Sequence, residues 1–123
     1  MAFSIRRAFL ALAVLVASAS SAASAPSAHN LPIFFFHGIN GNAANGDMLK
    51  ANLSTDARPL VALSACETVC TLSNLNTQAA LATKQIREVI ANDTRFANGY
   101  VFVAHSLGAA VARAVIETMD DHK

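Results

Sequence analysis

Gly99-Tyr100-Val101-Phe102-Val103-Ala104-His105-Ser106-Leu107-Gly108-Ala109-Ala110-Val111-Ala112-Arg113 is the stretch whose reading decides the fold. Tyr100 to Ala104 is apolar throughout and reads as a buried strand, and the Ala/Val-rich run from about Leu107 to Met119 reads as a helix. Between them stands a small-His-Ser-x-Gly turn. A strand that passes directly into a helix puts its turning residue on a sharp, strained corner with the side chain projecting outward, the layout of a nucleophile elbow. Ser106 occupies that corner. Ala104 and Gly108, two residues before and after it, are small enough to let strand and helix pass closely. Ala110, Val111, Ala114 and Val115 are expected to form the buried stripe of the helix.

A serine hydroxyl is a weak nucleophile unless a base takes its proton and donors stabilise the oxyanion that forms. One donor at such an elbow is the N–H following the serine, here that of Leu107. The other comes from a loop after an earlier strand. Leu31-Pro32-Ile33-Phe34-Phe35-Phe36 supplies the strand, since a run apolar on both faces belongs in the middle of a parallel sheet. His37-Gly38-Ile39 supplies the loop, with the N–H of Ile39 as second donor. The helix N-terminus adds a favourable dipole for developing negative charge.

The remaining polar side chains near these motifs have simpler readings. His37 is expected to face solvent from its loop, and His105 alternates away from Ser106 to pack or hydrogen-bond. Asn40, Asn42 and Asn45 read as loop-formers. Tyr100, Phe102 and the phenylalanine run read as sheet core.

Ile39 to Asp47 holds Gly, Asn and Ala and is expected to be loop. Met48 to Leu53 follows as a short helix behind an Asp47 cap. Arg58-Pro59-Leu60-Val61-Ala62-Leu63-Ser64 reads as a second strand, with Pro59 at its start where a missing N–H costs least. From Asn76 to Asn92, Leu75, Ala79, Ala82, Ile86, Val89 and Ile90 recur at helical spacing, behind a cap at Asn74 or Asn76. Strands alternating with helices predict an α/β fold with a mostly parallel sheet.

Residues 1–25 stand apart. Arg6 and Arg7 precede the apolar core Ala8 to Ala17, and a small-residue tract from Ser18 to Ala25 offers cleavage points. This reads as a secretory signal peptide, with an apolar core too short for a stable membrane span. Residues 26–123 then make one small domain. With 9 basic against 8 acidic residues and a net charge of +1, there is no basic stripe to hold nucleic acid. Nothing in the pattern calls for a cofactor. Two cysteines, Cys66 and Cys70, cannot close a tetrahedral metal shell by themselves, and a secretory route permits them to pair. Asn52-Leu53-Ser54 and Asn92-Asp93-Thr94 are glycosylation sequons.

Pro32 to Ile39, Leu75-Asn76-Thr77-Gln78 opening the long helix, Phe96-Ala97-Asn98-Gly99-Tyr100, the elbow, and Arg113-Ala114-Val115 together resemble a palmitoyl-protein thioesterase. The resemblance covers essentially the whole mature chain and the N-terminal part of the family's domain. It implies an α/β-hydrolase, secreted or lysosomal and usually glycosylated, that removes fatty-acyl groups from cysteine thioesters of S-acylated proteins. By position it makes Ser106 the nucleophile and gives Ile39 and Leu107 the oxyanion amides. The family's elbow usually reads Gly-x-Ser-Gln-Gly-Gly; here it reads Ala104-His105-Ser106-Leu107-Gly108-Ala109.

In such hydrolases an Asp or Glu and then a His follow the serine on later loops. The downstream candidates are Glu117, Asp120, Asp121 and His122. On a continuous helix His122 lies roughly 24 Å from Ser106, against a hydrogen-bond reach of about 3 Å. The expectation is therefore an incomplete hydrolase, weakly active or inactive as it stands. Two other readings share these residues: a lipase or carboxylesterase, and a secreted non-catalytic protein that binds acyl chains or a full-length homologue.

Overall fold

Two prolines set where the sheet begins. Pro32 and Pro59 have no N–H, so they join the ladder only as acceptors: Ile33 donates to Pro59 at 2.8 Å and Val101 donates to Pro32 at 2.9 Å. The strands are accordingly shorter than the apolar runs that announce them. In the computed structural model, which describes residues 31–53 and 58–121, they are β1 (Ile33–Phe36), β2 (Leu60–Ala62) and β3 (Val101–Ala104). They pair in parallel in the order β2-β1-β3, with Phe34 opposite Val61 on one side and Phe102 on the other. The segment read as a signal peptide, Ser54 of the first sequon and His122 lie outside the described residues. β2 ends early because Ser64 and Ala65 turn their N–H groups to Gln85 Oε1 on a helix, at 3.0 and 2.9 Å.

Three helices flank the sheet. α1 (Asp47–Asn52) follows a 3₁₀ turn over Ala43–Gly46, so the expected loop carries a tight turn of its own. Asn42 caps that turn by accepting from Ala44 N–H at 3.0 Å, while Asn45 Oδ1 accepts from Asn42 N–H at 2.8 Å. Gly46 therefore takes the cap position of α1, and Asp47 lies one place further on, inside the first turn. α2 (Leu75–Asn92) is capped by Asn74, whose side chain accepts from Asn76 N–H at 2.8 Å. α3 (Leu107–Thr118) leaves directly from the elbow.

The core lies on one face of the sheet. Phe34, Phe36 and Phe102 meet Phe96 and Tyr100 there, and α2 and α3 cover them with Ala79, Ala82, Ile86, Val111 and Val115. The rings tilt or meet edge to face around Phe34, at 4.7 Å from Phe96 and 5.2 Å from Tyr100, arrangements that suit the ring quadrupole. Arg87 of α2 reaches Asp121 at 2.7 Å and Asp120 at 3.5 Å just past α3, an exposed staple of small energetic weight. The stripe of α3 differs from expectation at Ala110 and at Ala112. Gly108, Val111, Ala112 and Val115 are buried, Ala114 is half-buried, and Ala110 is exposed. Alanine is the best helix former on any face, so its spacing carries little information about burial.

The opposite face is covered differently. Ile33 and Phe35 point to it, and the turn before α1 packs close: a Cβ on Gly46 would lie 2.9 Å from Ala62 Cβ and 3.1 Å from Phe35 Cδ1. Val101 and Val103 on that side are only half-buried.

Candidate active site

β1 has β2 on one side and β3 on the other, so the chain leaves adjacent strand ends in opposite directions. In open parallel sheets that divergence opens a crevice at the carboxyl ends of the strands. Ser106 stands at the end of β3 and His37-Gly38-Ile39 at the end of β1. His105 N–H donates to Phe36 carbonyl at 3.0 Å and locks the two ends together.

Ser106 has φ 54° and ψ −126°. A non-glycine residue held there costs about 1–3 kcal/mol and persists only where its surroundings over-determine it. The surroundings here are backbone. A Cβ on Gly108 would meet the carbonyl oxygens of His37 and Phe36 at 2.5 Å each, so the corner admits glycine alone at that position. A Cβ on Gly38 would lie 3.0 Å from Ser106 Cβ, which shows how closely the loop faces the serine. Ala104 stands exposed at the strand end, and its methyl is accommodated in open space.

The hydroxyl of Ser106 is exposed and does not cap α3. Gly108 N–H returns to His105 carbonyl and Ala109 N–H to Ser106 carbonyl, both at 3.0 Å. Among the described residues no acceptor takes the N–H of Leu107 or of Ile39. Two backbone donors thus stand uncommitted on either side of an exposed hydroxyl.

A cleft of about 740 Å³ opens beside Ser106 on the less covered face of the sheet. Phe35, Val103, Ile39, Met48 and Leu49 give it an apolar wall, and Asn52 stands on its rim. Phe34, Phe35 and Phe36 are buried as expected, and Phe35, on the other face from its two neighbours, also borders this cleft. Ile39 and Met48 are the most open of these apolar groups, at 57 % and 76 % exposure, in keeping with a surface made to receive something apolar.

Neither nearby histidine engages the serine. His37 is half-buried, with its Nδ1 3.1 Å from Gly38 carbonyl. His105 is exposed, with Nδ1 bordering Gly38 on the cleft rim. Among the described residues no histidine or carboxylate is hydrogen-bonded to Ser106 Oγ, and no group of three His, Cys, Asp or Glu residues is placed to hold a metal. No helix among them is long and apolar enough to cross a membrane. Asn52 and Asn92 are exposed helix ends whose side chains return to Met48 and Glu88 carbonyls at 2.8 and 2.7 Å.

One part of the site is only hinted at in the sequence. Cys66 and Cys70 are joined, Cα atoms 5.1 Å apart, around a 3₁₀ turn over Thr68–Leu72. That turn bonds to the loop carrying Ile39: Asn40 N–H donates to Thr71 Oγ1 at 2.7 Å, Thr68 N–H to Gly41 carbonyl at 2.8 Å, and Ala43 N–H to Glu67 Oε1 at 2.7 Å. Gln78, noted in the sequence only as part of the helix opening, donates to Thr71 and Ser73 carbonyls and ties the turn to α2. The close Cys-x-x-x-Cys spacing is the sole hint of a rigid turn, and it does not say what the turn holds.

No curated protein matches the chain. The family model described as palmitoyl protein thioesterase matches residues 32–123, from the proline that opens β1 through the elbow and α3. A match of that extent, on the same parallel sheet and strand-turn-helix corner described above, places the chain in the palmitoyl protein thioesterase family and gives it the fold of an α/β-hydrolase.

Proposed function

We propose that this site hydrolyses fatty-acyl thioesters of S-acylated proteins, with Ser106 as nucleophile and the N–H groups of Ile39 and Leu107 as oxyanion donors. The observation that carries the proposal is the strained Ser106 corner facing the Gly38-Ile39 loop, with an exposed hydroxyl and two uncommitted amides beside it. Ser106 Oγ attacks the thioester carbonyl carbon, and the carbonyl oxygen takes up negative charge between the two amides. The C–S bond then breaks and the thiol leaves with the proton that Ser106 gives up, and water cleaves the acyl-serine to the free fatty acid and restores the hydroxyl. The amides bind the oxyanion more tightly than the ground-state carbonyl, which is what lowers the barrier. Gly108 keeps the corner tight, and the apolar wall of Phe35, Val103, Met48 and Leu49 suits an alkyl chain.

No base is bonded to Ser106 among the described residues, so turnover is expected to be slow, in the range that an oxyanion hole sustains without a full triad. The same apolar wall would serve a second reading, a secreted protein that binds acyl chains without cleaving them. An ester substrate would use the same corner, as in a lipase or carboxylesterase. The signal-peptide pattern and the two sequons support a protein of the secretory pathway, extracellular or lysosomal. The test is single-turnover release of thiol from a palmitoyl thioester and from the matching ester. Release that is lost in Ser106→Ala and faster for the thioester supports the proposal. Saturable binding of the acyl chain with no release supports the non-catalytic reading, and faster ester cleavage supports the esterase.

A further inference from the structure

Thr71 is 3 % exposed, yet its hydroxyl is fully engaged. It donates to Thr68 carbonyl at 2.5 Å and accepts from Asn40 N–H at 2.7 Å. Its own carbonyl accepts from Gln78 Nε2 at 2.9 Å, and Gln78 is itself buried. A buried hydroxyl with its proton and a lone pair both committed fixes the geometry of each partner. One of those partners, Asn40, follows Ile39 directly. Pinning the Asn40 N–H sets the peptide plane on the far side of Ile39 and limits how the Ile39 backbone can turn.

A second observation points to the same place. The non-glycine residues with positive φ among the described residues are Asn40, Thr68 and Ser106, at 55°, 51° and 54°. One lies in the loop, one in the disulfide turn and one at the elbow. For a β-branched residue such as Thr68 this conformation is a genuine outlier. Strain of this kind clusters where a site is held in a fixed geometry. The turn closed by Cys66 and Cys70 therefore belongs to the same strained assembly as the elbow.

We propose that Thr71, seated by Gln78 and by the Cys66–Cys70 bridge, is a positioning residue that holds the Ile39 N–H toward the carbonyl oxygen of an acyl group at Ser106. The role rests on the catalytic reading above; the clamp itself does not. Amide hydrogen exchange on the wild-type chain separates the two. The Asn40 amide is expected to exchange at least tenfold more slowly than the Ile39 amide. Thr71→Val keeps the shape and removes both hydrogen bonds; it should speed Asn40 exchange about tenfold. It should also lower kcat for a palmitoyl thioester by roughly tenfold to a hundredfold, short of the loss seen when a donor is deleted. KM should stay within about twofold, because the contact strengthens only in the transition state. Thr71→Ser should restore both readouts. Equal exchange at Asn40 and Ile39 in the wild type overturns the clamp without need of any variant. Faster exchange in Thr71→Val with kcat unchanged overturns the positioning role. A protected Asn40 amide in a wild-type chain with no thioester turnover overturns the catalytic reading and with it the role, and leaves the clamp standing.

Discussion

Ser106 is turned by its own strand, corner and helix and seated on the adjacent end of β1, whereas Ile39 hangs on a disulfide-closed turn some thirty positions away. The elbow follows from strand, turn and helix in immediate succession, with Gly108 against the carbonyls of Phe36 and His37. The facing loop has short-range bonds of its own, such as Gly41 N–H to Gly38 carbonyl at 3.0 Å. Its anchors to the rest of the molecule are Thr71, Thr68 and Glu67, on a turn closed by a disulfide. The two halves face each other, yet one is built on the paired ends of β1 and β3 and the other on a turn outside the sheet. Perturbations should therefore separate them.

Gly108→Ala should produce the largest effect. Its Cβ would fall 2.5 Å from two carbonyl oxygens, and neither backbone can retreat without moving β1 or α3. A loss of about 3 kcal/mol or more is expected, read as a collapse of the urea midpoint or of soluble yield. An unchanged midpoint would mean that the elbow is looser than described.

Cys66→Ser with Cys70→Ser strikes the other half. The bridge closes a short loop, worth about 2 kcal/mol in the chain-entropy model. Amide exchange should speed over residues 38–43 and 66–73 and stay unchanged in β3 and α3. Uniform acceleration across the chain would erase the contrast between the halves.

That contrast also explains what the sequence revealed. The corner at Ser106, the small residues at Ala104 and Gly108 and the strand before them are legible because strand, turn and helix follow one another within a dozen or so residues, although the backbone of Phe36 and His37 that they pack against does not. The helix over Leu75–Asn92 is legible for the same reason, since Ala79, Ala82 and Ile86 recur on one face. The Thr71–Asn40 bond spans 31 residues and leaves no local mark. Gln78 sits in a helix opening where its side chain reads as ordinary polarity, and only the fold brings it under Thr71 and Ser73. Ala110 misled because alanine suits both faces of a helix. That Phe35 also borders a cleft was not legible, because a residue of an apolar strand is buried on whichever face it points to.

Ser106→Gly should have a smaller effect of opposite sign. Glycine relieves the positive φ, and the serine side chain makes no cap bond that would be lost. Relief of about 1–3 kcal/mol, offset in part by the greater freedom of glycine in the unfolded chain, should stabilise the protein by about 1 kcal/mol and abolish turnover. A thermal melt checks it; a lower Tm would contradict the strain argument.

The smallest effect lies far from both halves. Arg95 hydrogen-bonds Asp93 and holds its carboxyl below the usual carboxylate range. That contribution is present above the ordinary carboxylate pKa and is lost as pH falls through the depressed one. Asp93→Asn should flatten a slight acid-side fall in Tm and leave thioester cleavage at neutral pH unchanged. A steeper fall would place the acid sensitivity elsewhere.

The central claim is that Ser106 is a nucleophile set against two oxyanion amides. Its most direct test is reaction of the folded chain with a fluorophosphonate, followed by intact-protein and peptide mass spectrometry. One slowly formed adduct on Ser106 is expected, absent in Ser106→Ala and weakened in Thr71→Val. A folded chain that forms no adduct, or an adduct that survives Ser106→Ala, would contradict it.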